Sequence, residues 1–151
     1  MILLLTSMCN YVYNMRYLIF FREVSTVRKL LGPDKIIGVS ADTLDEALAA
    51  QAGGADYIGI GAVYDTVTKG DAGEAIGIER LRMLCDHKDV YIGKVAIGGI
   101  SADRVRECLV DGHADGVAVV SAIFGAKDVR AATLELGERI AAARRDIQGV
   151  R

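Results

Sequence analysis

The chain has 151 residues, which is enough for one domain with a sizeable core but leaves little room for a second one. Hydrophobic residues make up 52% of it and charged residues 25%, with a single proline, so a packed globular fold is indicated and a disordered chain is excluded. A formal net charge of -2 provides no overall attraction to nucleic acid or to anionic lipid, and we expect neither as a partner.

The amino-terminal segment differs from the rest of the chain. Its apolar run is interrupted by Asn10, Asn14 and Arg16, which makes it a poor membrane span. No basic residue precedes its first apolar residues, so it also lacks the pattern of a signal peptide. We therefore divide the chain into an apolar segment that does not share the pattern of the rest, residues 1–23, and a folded unit, residues 24–151.

Cysteine and histidine are too scarce and too scattered for a metal cluster. Cys9, Cys85 and Cys108 stand far apart and form no CxxC pair, and the two histidines are His87 and His113. We expect reduced thiols, a cytoplasmic location, and neither a metal site nor a catalytic triad built on these residues.

From Val24 onward, amphipathic stretches alternate with short apolar runs that carry glycine. A helix is predicted over Val24–Leu31, ending at Gly32–Pro33. Four strands follow, and their nearly continuous apolar character indicates burial on both faces. The predicted strands are Ile36–Ser40, Tyr57–Gly61, Lys94–Ile100 and Gly116–Ser121. The helices predicted after them are Thr43–Ala52, Ile78–Cys85, Ser101–Asp111 and Lys127–Arg145. The first begins with a Thr43–Glu46 capping box and stops at Gly53–Gly54. The third has Ser101 as its N-cap and stops at Gly112.

Strands that alternate with helices are typical of an α/β fold with a parallel sheet. Four βα units are too few for a complete (β/α)8 barrel of the TIM type, which rarely has fewer than about 200 residues. The sequence therefore predicts half of such a barrel. Because two strand edges and one sheet face would remain uncovered, we expect a homo-oligomer, a completing partner chain or a longer gene product.

Ligands bind at the carboxyl ends of the strands in parallel sheets and barrels, which points to the residues directly after each strand. The four junctions are Ser40–Asp42, Asp65–Gly70, Gly98–Ser101 and Val120–Ile123. The last two are typical of a phosphate site, since backbone N–H groups at a helix start bind anions and Gly99 would let an anion approach closely. The alternative is that Gly98 and Gly99 only relieve crowding where strand meets helix.

The polar side chains at these junctions also have two interpretations each. Lys69 is a compact cation suited to a phosphate oxygen, and Ser121 supplies a hydroxyl, but both also suit an ordinary surface position. Four acidic residues could either bind a metal or serve as helix caps and surface charges: Asp42, Asp45, Glu46 and Asp71. Asp45 and Glu46 lie in a first helical turn, where negative charge is favourable, so we expect cap or surface roles. Asp115 and His113 precede the last strand, at the end of a barrel that serves stability rather than catalysis.

Four segments, in this order, resemble the thiamine phosphate synthase family: IIGVSADTLDEA, ADYIGIGAVYDTVTKGDAG, VAIGGIS and DGVAVVSAIFGA. The similarity covers roughly Val24–Gly125, and the TVTK segment with its flanks is its most specific part. It implies a (β/α)8 barrel of which this chain holds about the last four βα units. It also implies a transferase of thiamine biosynthesis that joins hydroxymethylpyrimidine pyrophosphate to thiazole phosphate and releases pyrophosphate.

The resemblance assigns roles to individual residues. Lys69 and Ser40 would be catalytic, Lys69 at the pyrophosphate of the pyrimidine substrate and Ser40 near the leaving group. The residues for thiazole phosphate would be Thr66, Val67, Thr68, Gly99, Val120 and Ser121. Mg²⁺ is the cofactor that the family implies, but its aspartate ligands belong to upstream motifs that are not found between Met1 and Ser40.

Departures from the family pattern leave alternatives open. Asp65 stands where the bacterial pattern of the family has proline, and Asp42 where it has histidine, and the form with Asp65 is more similar to the fungal branch. Without the upstream carboxylates, the chain could be a noncatalytic half-barrel that keeps the phosphate site, or it could depend on a partner chain for activity. A third reading, the related thiazole tautomerase, is disfavoured by the intact TVTK segment and by the absence of histidine at Asp42.

Overall fold

A computed structural model describes residues 24–66 and 74–149. Helices and strands alternate along this part of the chain, as the sequence predicts. The elements are α1 Val24–Leu31, β1 Gly38–Ser40, α2 Leu44–Ala52, β2 Tyr57–Ile60, α3 Gly77–Cys85, β3 Gly93–Ile97, a 3-10 turn Ala102–Arg104, a π-helical segment Glu107–Asp111, β4 Gly116–Ala118, α4 Ser121–Phe124 and α5 Val129–Gly149.

The four strands form one parallel sheet in which each strand lies beside the next along the chain, in the order β1-β2-β3-β4. This arrangement confirms the predicted α/β class and is consistent with a truncated TIM-like fold. Within the described residues, β1 and β4 each pair with one neighbour. None of the described helices is both long and apolar enough to cross a membrane.

The hydrophobic core lies on one face of the sheet. Ile58, Ile60 and Ala96 alternate along their strands and are fully buried in one cluster with Leu81 of α3 and Leu136 of α5. The register places the intervening residues on the opposite face, where small residues predominate and the larger side chains are only half-buried. That second face carries Gly38, Ser40, Tyr57, Gly59, Gly93, Val95, Ile97, Gly116 and Ala118.

Two helix predictions are confirmed closely. Helix α1 has the predicted bounds and ends where the Gly32 N–H donates to the Arg28 carbonyl at 2.9 Å. Helix α2 begins with the predicted capping box: the Glu46 N–H donates to Thr43 Oγ1 at 3.3 Å, and Glu46 Oε2 accepts from the Thr43 N–H at 3.0 Å. Glu46 is therefore a cap, in agreement with the reading favoured from the sequence.

All four predicted strands are too long. Ile36 lies before β1 and is 61% exposed, so it contributes nothing to the ladder. Strand β2 ends at Ile60 instead of Gly61, and β3 ends at Ile97 because Gly98 and Gly99 take φ values of 97° and 64°, which are incompatible with a strand. The prediction that Ser121 ends β4 is wrong, because Ser121 is the first residue of α4.

The two carboxyl-terminal helix predictions also need correction. The predicted helix Ser101–Asp111 is a 3-10 turn followed by a π-helical segment, and the Ser101 side chain makes no capping hydrogen bond. The π geometry arises where the Gly112 N–H donates to the Glu107 carbonyl, five residues back, at 2.8 Å. The long last helix begins at Val129 rather than Lys127, since Asp128 Oδ1 accepts the Ala131 N–H at 2.9 Å, the geometry of an N-cap.

Carboxylates secure the amino-terminal edge of the sheet. Asp56 accepts the Ile37 N–H and pairs with Arg28, each at 2.6 Å, and Asp115 accepts the Lys94 N–H at 2.8 Å. Burial tends to raise the pKa of Asp56, but these hydrogen bonds outweigh it and hold the pKa below its usual value. Asp115 therefore has the structural contact that its place before β4 predicts.

Cys85 and Cys108 are buried free thiols, as the sequence analysis expects, whereas Cys9 lies outside the described residues. Burial raises the pKa of Cys85 to about 12 and that of Cys108 to about 11. Both thiols therefore stay protonated at neutral pH and behave as small apolar core residues.

His113 makes a structural contact at the amino-terminal edge of the sheet, away from the junctions at the carboxyl ends of the strands. Its backbone has φ of 56°, and its Nδ1 lies 2.6 Å from Oδ1 of Asp86, the residue that caps the end of α3. This contact connects the loop before β4 to the end of α3. That His113 has no catalytic role stays a prediction.

The His113 hydrogen bond lowers the pKa of Asp86 below its ordinary value of 3.8. Because the folded-state pKa is depressed, this carboxylate stabilises the fold above its unfolded-state pKa, and the stabilisation is lost as the pH falls through the folded value. We predict that the free energy of unfolding in urea decreases as the pH is lowered below about 4 and that this decrease is shallower in Asp86→Asn. Asp103→Asn, which removes a carboxylate that is 86% exposed, is the control and should keep the wild-type slope. Equal slopes for wild type and Asp86→Asn would contradict the role given to this pair.

Candidate functional site

The loops that follow β2 and β3 meet at the carboxyl edge of the sheet. We call residues 61–66 the β2 loop and residues 98–101 the β3 loop. The Val63 N–H donates to the Ile97 carbonyl at 2.9 Å, and the Tyr64 N–H donates to the Gly98 carbonyl at 3.2 Å. The β2 loop thus continues alongside β3 beyond the end of its own strand, which fixes the start of the Asp65–Gly70 junction.

The chain returns to this point just before and at the start of α3. The Ile76 N–H donates to the Ala62 carbonyl at 2.8 Å, and the Gly77 N–H donates to the Val63 carbonyl at 3.0 Å. Both ends of the segment between Tyr64 and Ile76 are therefore held beside the end of β3. Of the predicted ligand residues in it, Thr66 is half-buried, whereas Val67, Thr68 and Lys69 lie outside the described residues.

Close packing of the two loops explains the glycine pair after β3. A Cβ on Gly98 would lie 2.5 Å from the Cα of Ala62, and a Cβ on Gly99 would lie 2.7 Å from the Asp65 carbonyl oxygen and 2.8 Å from Tyr64 Cβ. Both residues also have positive φ. The crowding interpretation of Gly98 and Gly99 therefore accounts for both positions, and an anion-binding role for Gly99 depends on its backbone N–H.

Three side chains reinforce this contact. The Arg104 guanidinium lies 4.3 Å from the centre of the Tyr64 ring, and its Nη1 donates to the Gly99 carbonyl at 2.7 Å. The Tyr64 hydroxyl donates to Glu107 Oε2 at 2.5 Å and lies 4.0 Å from the Sγ of Cys108. Burial, followed by the bond to Glu107, raises the pKa of Tyr64, so its hydroxyl remains a donor at neutral pH.

Asp42 connects the ends of β1 and β2. Its Oδ1 accepts the Gly61 N–H at 3.0 Å, while its own N–H donates to Glu46 Oε2 at 2.9 Å. Ser40 is exposed at the end of β1, opposite Gly59 in the register. No group of three or more histidine, cysteine, aspartate or glutamate residues in the described ranges is placed to hold a metal ion. The Asp42 carboxylate therefore has a structural role that differs from a helix cap: it connects the end of β1 to the β2 loop, while Thr43 caps α2.

The last junction forms the start of α4. The Val120 carbonyl accepts the N–H groups of Ile123 and Phe124 at 3.1 and 2.9 Å, which leaves the N–H groups of Ser121 and Ala122 in the first turn without an intrahelical acceptor. Ser121 is exposed, and Val120 is 45% exposed. Such a helix start can donate to an anion, although four residues make α4 too short for a substantial macrodipole.

The structure thus brings several predicted site residues to one edge of the sheet. Ser40 is the last residue of β1, and the others lie in the junctions after β2, β3 and β4: Thr66, Gly99, Val120 and Ser121. Sequence reasoning missed Tyr64, Arg104 and Glu107. The spacing of Arg104, Glu107 and Cys108 along one helical face was the available signal, but nothing in it indicates a contact with Tyr64, 43 residues from Glu107.

The chain matches a known protein family and several of its members. Residues 22–123 match the family described as thiamine monophosphate synthase. Among curated relatives, the thiamine-phosphate synthase of Moorella thermoacetica is 51% identical over 117 residues, covering 78% of this chain and 54% of that protein. The thiamine-phosphate synthase of Pyrococcus furiosus is 52% identical over 110 residues, covering 73% of this chain and 51% of that protein.

Solved structures lead to the same group of proteins. The thiamine phosphate pyrophosphorylase from Pyrococcus furiosus superposes with a TM-score of 0.70 at 43% sequence identity, covering 81% of this chain and 56% of that one. The chain therefore spans about half the length of the relatives it matches.

Proposed function

Because the chain belongs to the thiamine monophosphate synthase family, we propose that it supplies the thiazole phosphate-binding half of a synthase. The reaction joins hydroxymethylpyrimidine pyrophosphate to thiazole phosphate and releases pyrophosphate, in thiamine biosynthesis. The observation that carries this proposal is the interlocking of the β2 and β3 loops at the carboxyl edge of the sheet, where barrel enzymes bind their ligands. The proposed location is the cytoplasm, with neither nucleic acid nor membrane as a partner.

Thiazole phosphate is assigned to the loops after β2, β3 and β4. Backbone N–H groups of Gly99 and Ser121 are suited to its phosphate, with Val120 beside them, because N–H groups at the ends of parallel strands and the starts of helices attract anions. The remaining contacts come from Thr66, Val67 and Thr68. Support for this assignment is that Gly99, Ser121 and Thr66 follow three neighbouring strands.

The pyrimidine substrate is assigned to Lys69 and Ser40. Lys69 would neutralise charge on the departing pyrophosphate, and Ser40 would face the same leaving group from the end of β1. Capture of the pyrimidine by the thiazole nitrogen needs positioning and charge stabilisation more than proton transfer. The hydroxyl and backbone N–H groups at the ends of the strands are suited to this chemistry.

The described residues do not fit a magnesium site. Asp42 is already engaged by the Gly61 N–H, Asp65 is exposed, and the described ranges hold no group of three or more acidic, histidine or cysteine side chains placed to bind a metal. We therefore assign no step of the reaction to Mg²⁺ bound by these residues. The Mg²⁺ that the family implies would be held by carboxylates that a completing part of the barrel supplies.

We assign the sheet to the last four βα units of a (β/α)8 barrel, with residues 24–151 as the domain and residues 1–23 as a separate segment. Three observations support this assignment: β1 and β4 each pair with one strand among the described residues, the second face of the sheet is half-buried, and the chain covers about half of each relative. A second copy of the chain or another chain would complete the barrel by pairing with both edges.

The test compares the full chain alone with the full chain mixed with the portion of the Moorella thermoacetica relative that it does not match. Both samples receive hydroxymethylpyrimidine pyrophosphate, thiazole phosphate and magnesium, and thiamine phosphate is measured by chromatography. We expect product in the mixture and little or none from the chain alone. If the chain binds thiazole phosphate but neither sample forms product, the noncatalytic binding module is favoured. The absence of both binding and product would contradict the proposal.

A further inference from the structure

One arginine contacts both of the interlocked loops. Arg104, in the 3-10 turn after the β3 loop, stacks on the Tyr64 ring of the β2 loop at 4.3 Å and donates to the Gly99 carbonyl of the β3 loop at 2.7 Å. A planar guanidinium can do both at once, because its face meets the ring while its edge donates a hydrogen bond. The Arg104 side chain therefore braces the two loops against each other, in addition to the backbone hydrogen bond from Tyr64 to Gly98.

The hydroxyl end of Tyr64 is held by the π-helical segment. The Tyr64 hydroxyl donates to Glu107 Oε2 at 2.5 Å and lies against Cys108, a fully buried core residue. The position of Tyr64 is thus determined by a cation on its face and by an acceptor at its tip. Since Tyr64 is followed directly by Asp65 and Thr66, its placement also sets where the junction after β2 begins.

We propose that Tyr64, Arg104 and Glu107 form a clamp that positions the β2 and β3 loops for a single phosphate-bearing ligand. None of the three is assigned to touch substrate; they are positioning residues that act through Thr66 and Gly99. The ligand part of the proposal rests on the proposed function, whereas the bracing of the two loops rests on the contacts alone. Surface contacts of this kind add little to global stability, so the main effect is local order at the site.

The test uses the full chain and two readouts. Calorimetry measures the Kd for thiazole phosphate, and hydrogen exchange measures backbone protection in peptides covering the β2 and β3 loops. Arg104→Ala should weaken binding about tenfold and speed exchange in both loops, since it removes the stacking contact and the hydrogen bond together. Arg104→Lys should restore part of both, because an ammonium can still reach a carbonyl but cannot stack as a plane.

Two further variants separate the parts of the clamp. Tyr64→Phe keeps the ring under Arg104 but loses the bond to Glu107, so binding should weaken by about threefold. Glu107→Gln keeps an acceptor and should stay close to wild type. Arg106→Ala is the matched control: it removes a neighbouring arginine that pairs with Asp111 and Asp146 away from both loops, and it should leave binding and loop exchange unchanged.

Wild-type binding and loop exchange in Arg104→Ala would overturn the clamp. If the wild-type chain fails to bind thiazole phosphate, the proposed function fails, and the exchange data still decide the clamp. Faster loop exchange in Arg104→Ala but not in Arg106→Ala supports it, and equal exchange in the two variants overturns it.

Discussion

Replacing Gly99 by alanine is expected to lower the free energy of unfolding by about 2–4 kcal/mol and to abolish measurable thiazole phosphate binding. The residue has φ of 64°, and a Cβ would lie 2.7 Å from the Asp65 carbonyl oxygen. Backbone atoms cannot move aside as the end of a flexible side chain can, so the β2 and β3 loops must separate. Because both loops carry assigned ligand residues, one methyl group should affect the fold and the site together.

Urea unfolding gives the stability of Gly99→Ala, and calorimetry at a temperature where the variant is folded gives its affinity. Gly137→Ala is the matched control. Gly137 lies inside helix α5 with no atom within 4 Å of an added Cβ, so alanine should stabilise the chain there by about 0.5–1 kcal/mol and leave binding unchanged. A Gly99→Ala chain as stable as wild type, with wild-type affinity, would contradict the described packing of the two loops.

Replacing Lys69 by alanine is expected to reduce thiamine phosphate formation at least about a hundredfold in the mixture that restores the barrel. The assigned role of Lys69 is to hold the pyrophosphate as it departs, and no other residue of the TVTK segment carries positive charge. Thiazole phosphate affinity should change by less than about threefold, because the phosphate of that substrate is assigned to backbone N–H groups. The loss should therefore fall on kcat and on the KM for the pyrimidine substrate.

Lys88→Ala is the control for Lys69→Ala. Lys88 is an exposed lysine between α3 and β3, at the amino-terminal edge of the sheet, opposite to the assigned site. It removes the same charge from the chain but should leave turnover unchanged. Activity that survives Lys69→Ala at more than about a tenth of the wild-type rate would show that charge stabilisation of the leaving group comes from elsewhere.

Local signals in the sequence predict much of this fold. Thr43 and Glu46 identify the start of α2 because a capping box is formed by residues only three positions apart. The bounds of α1 follow likewise from apolar spacing and from the Gly32–Pro33 stop. Strand positions follow from short apolar runs, but their ends do not, because a strand stops where its neighbour stops pairing and not where its own apolar character ends.

The details of the site are harder to predict, since they depend on contacts between distant parts of the chain. Gly98 and Gly99 were candidates from the sequence, yet only the packing of Ala62 and Tyr64 against them shows why a side chain is excluded there. Similarly, Arg104 looks like an ordinary exposed helical residue until Tyr64 is placed beneath it. The rules of hydrophobic periodicity and helix capping concern residues that are close in sequence. They therefore do not predict contacts between distant residues such as Arg104 and Tyr64.

Calorimetric titration of the full chain with thiazole phosphate tests the central claim most directly, with the unphosphorylated thiazole alcohol as the comparison. We expect one thiazole phosphate to bind per chain and the alcohol to bind at least about a hundredfold more weakly, because the phosphate supplies the charge that the backbone N–H groups recognise. Equal affinity for the two compounds, or no binding of either, would contradict it.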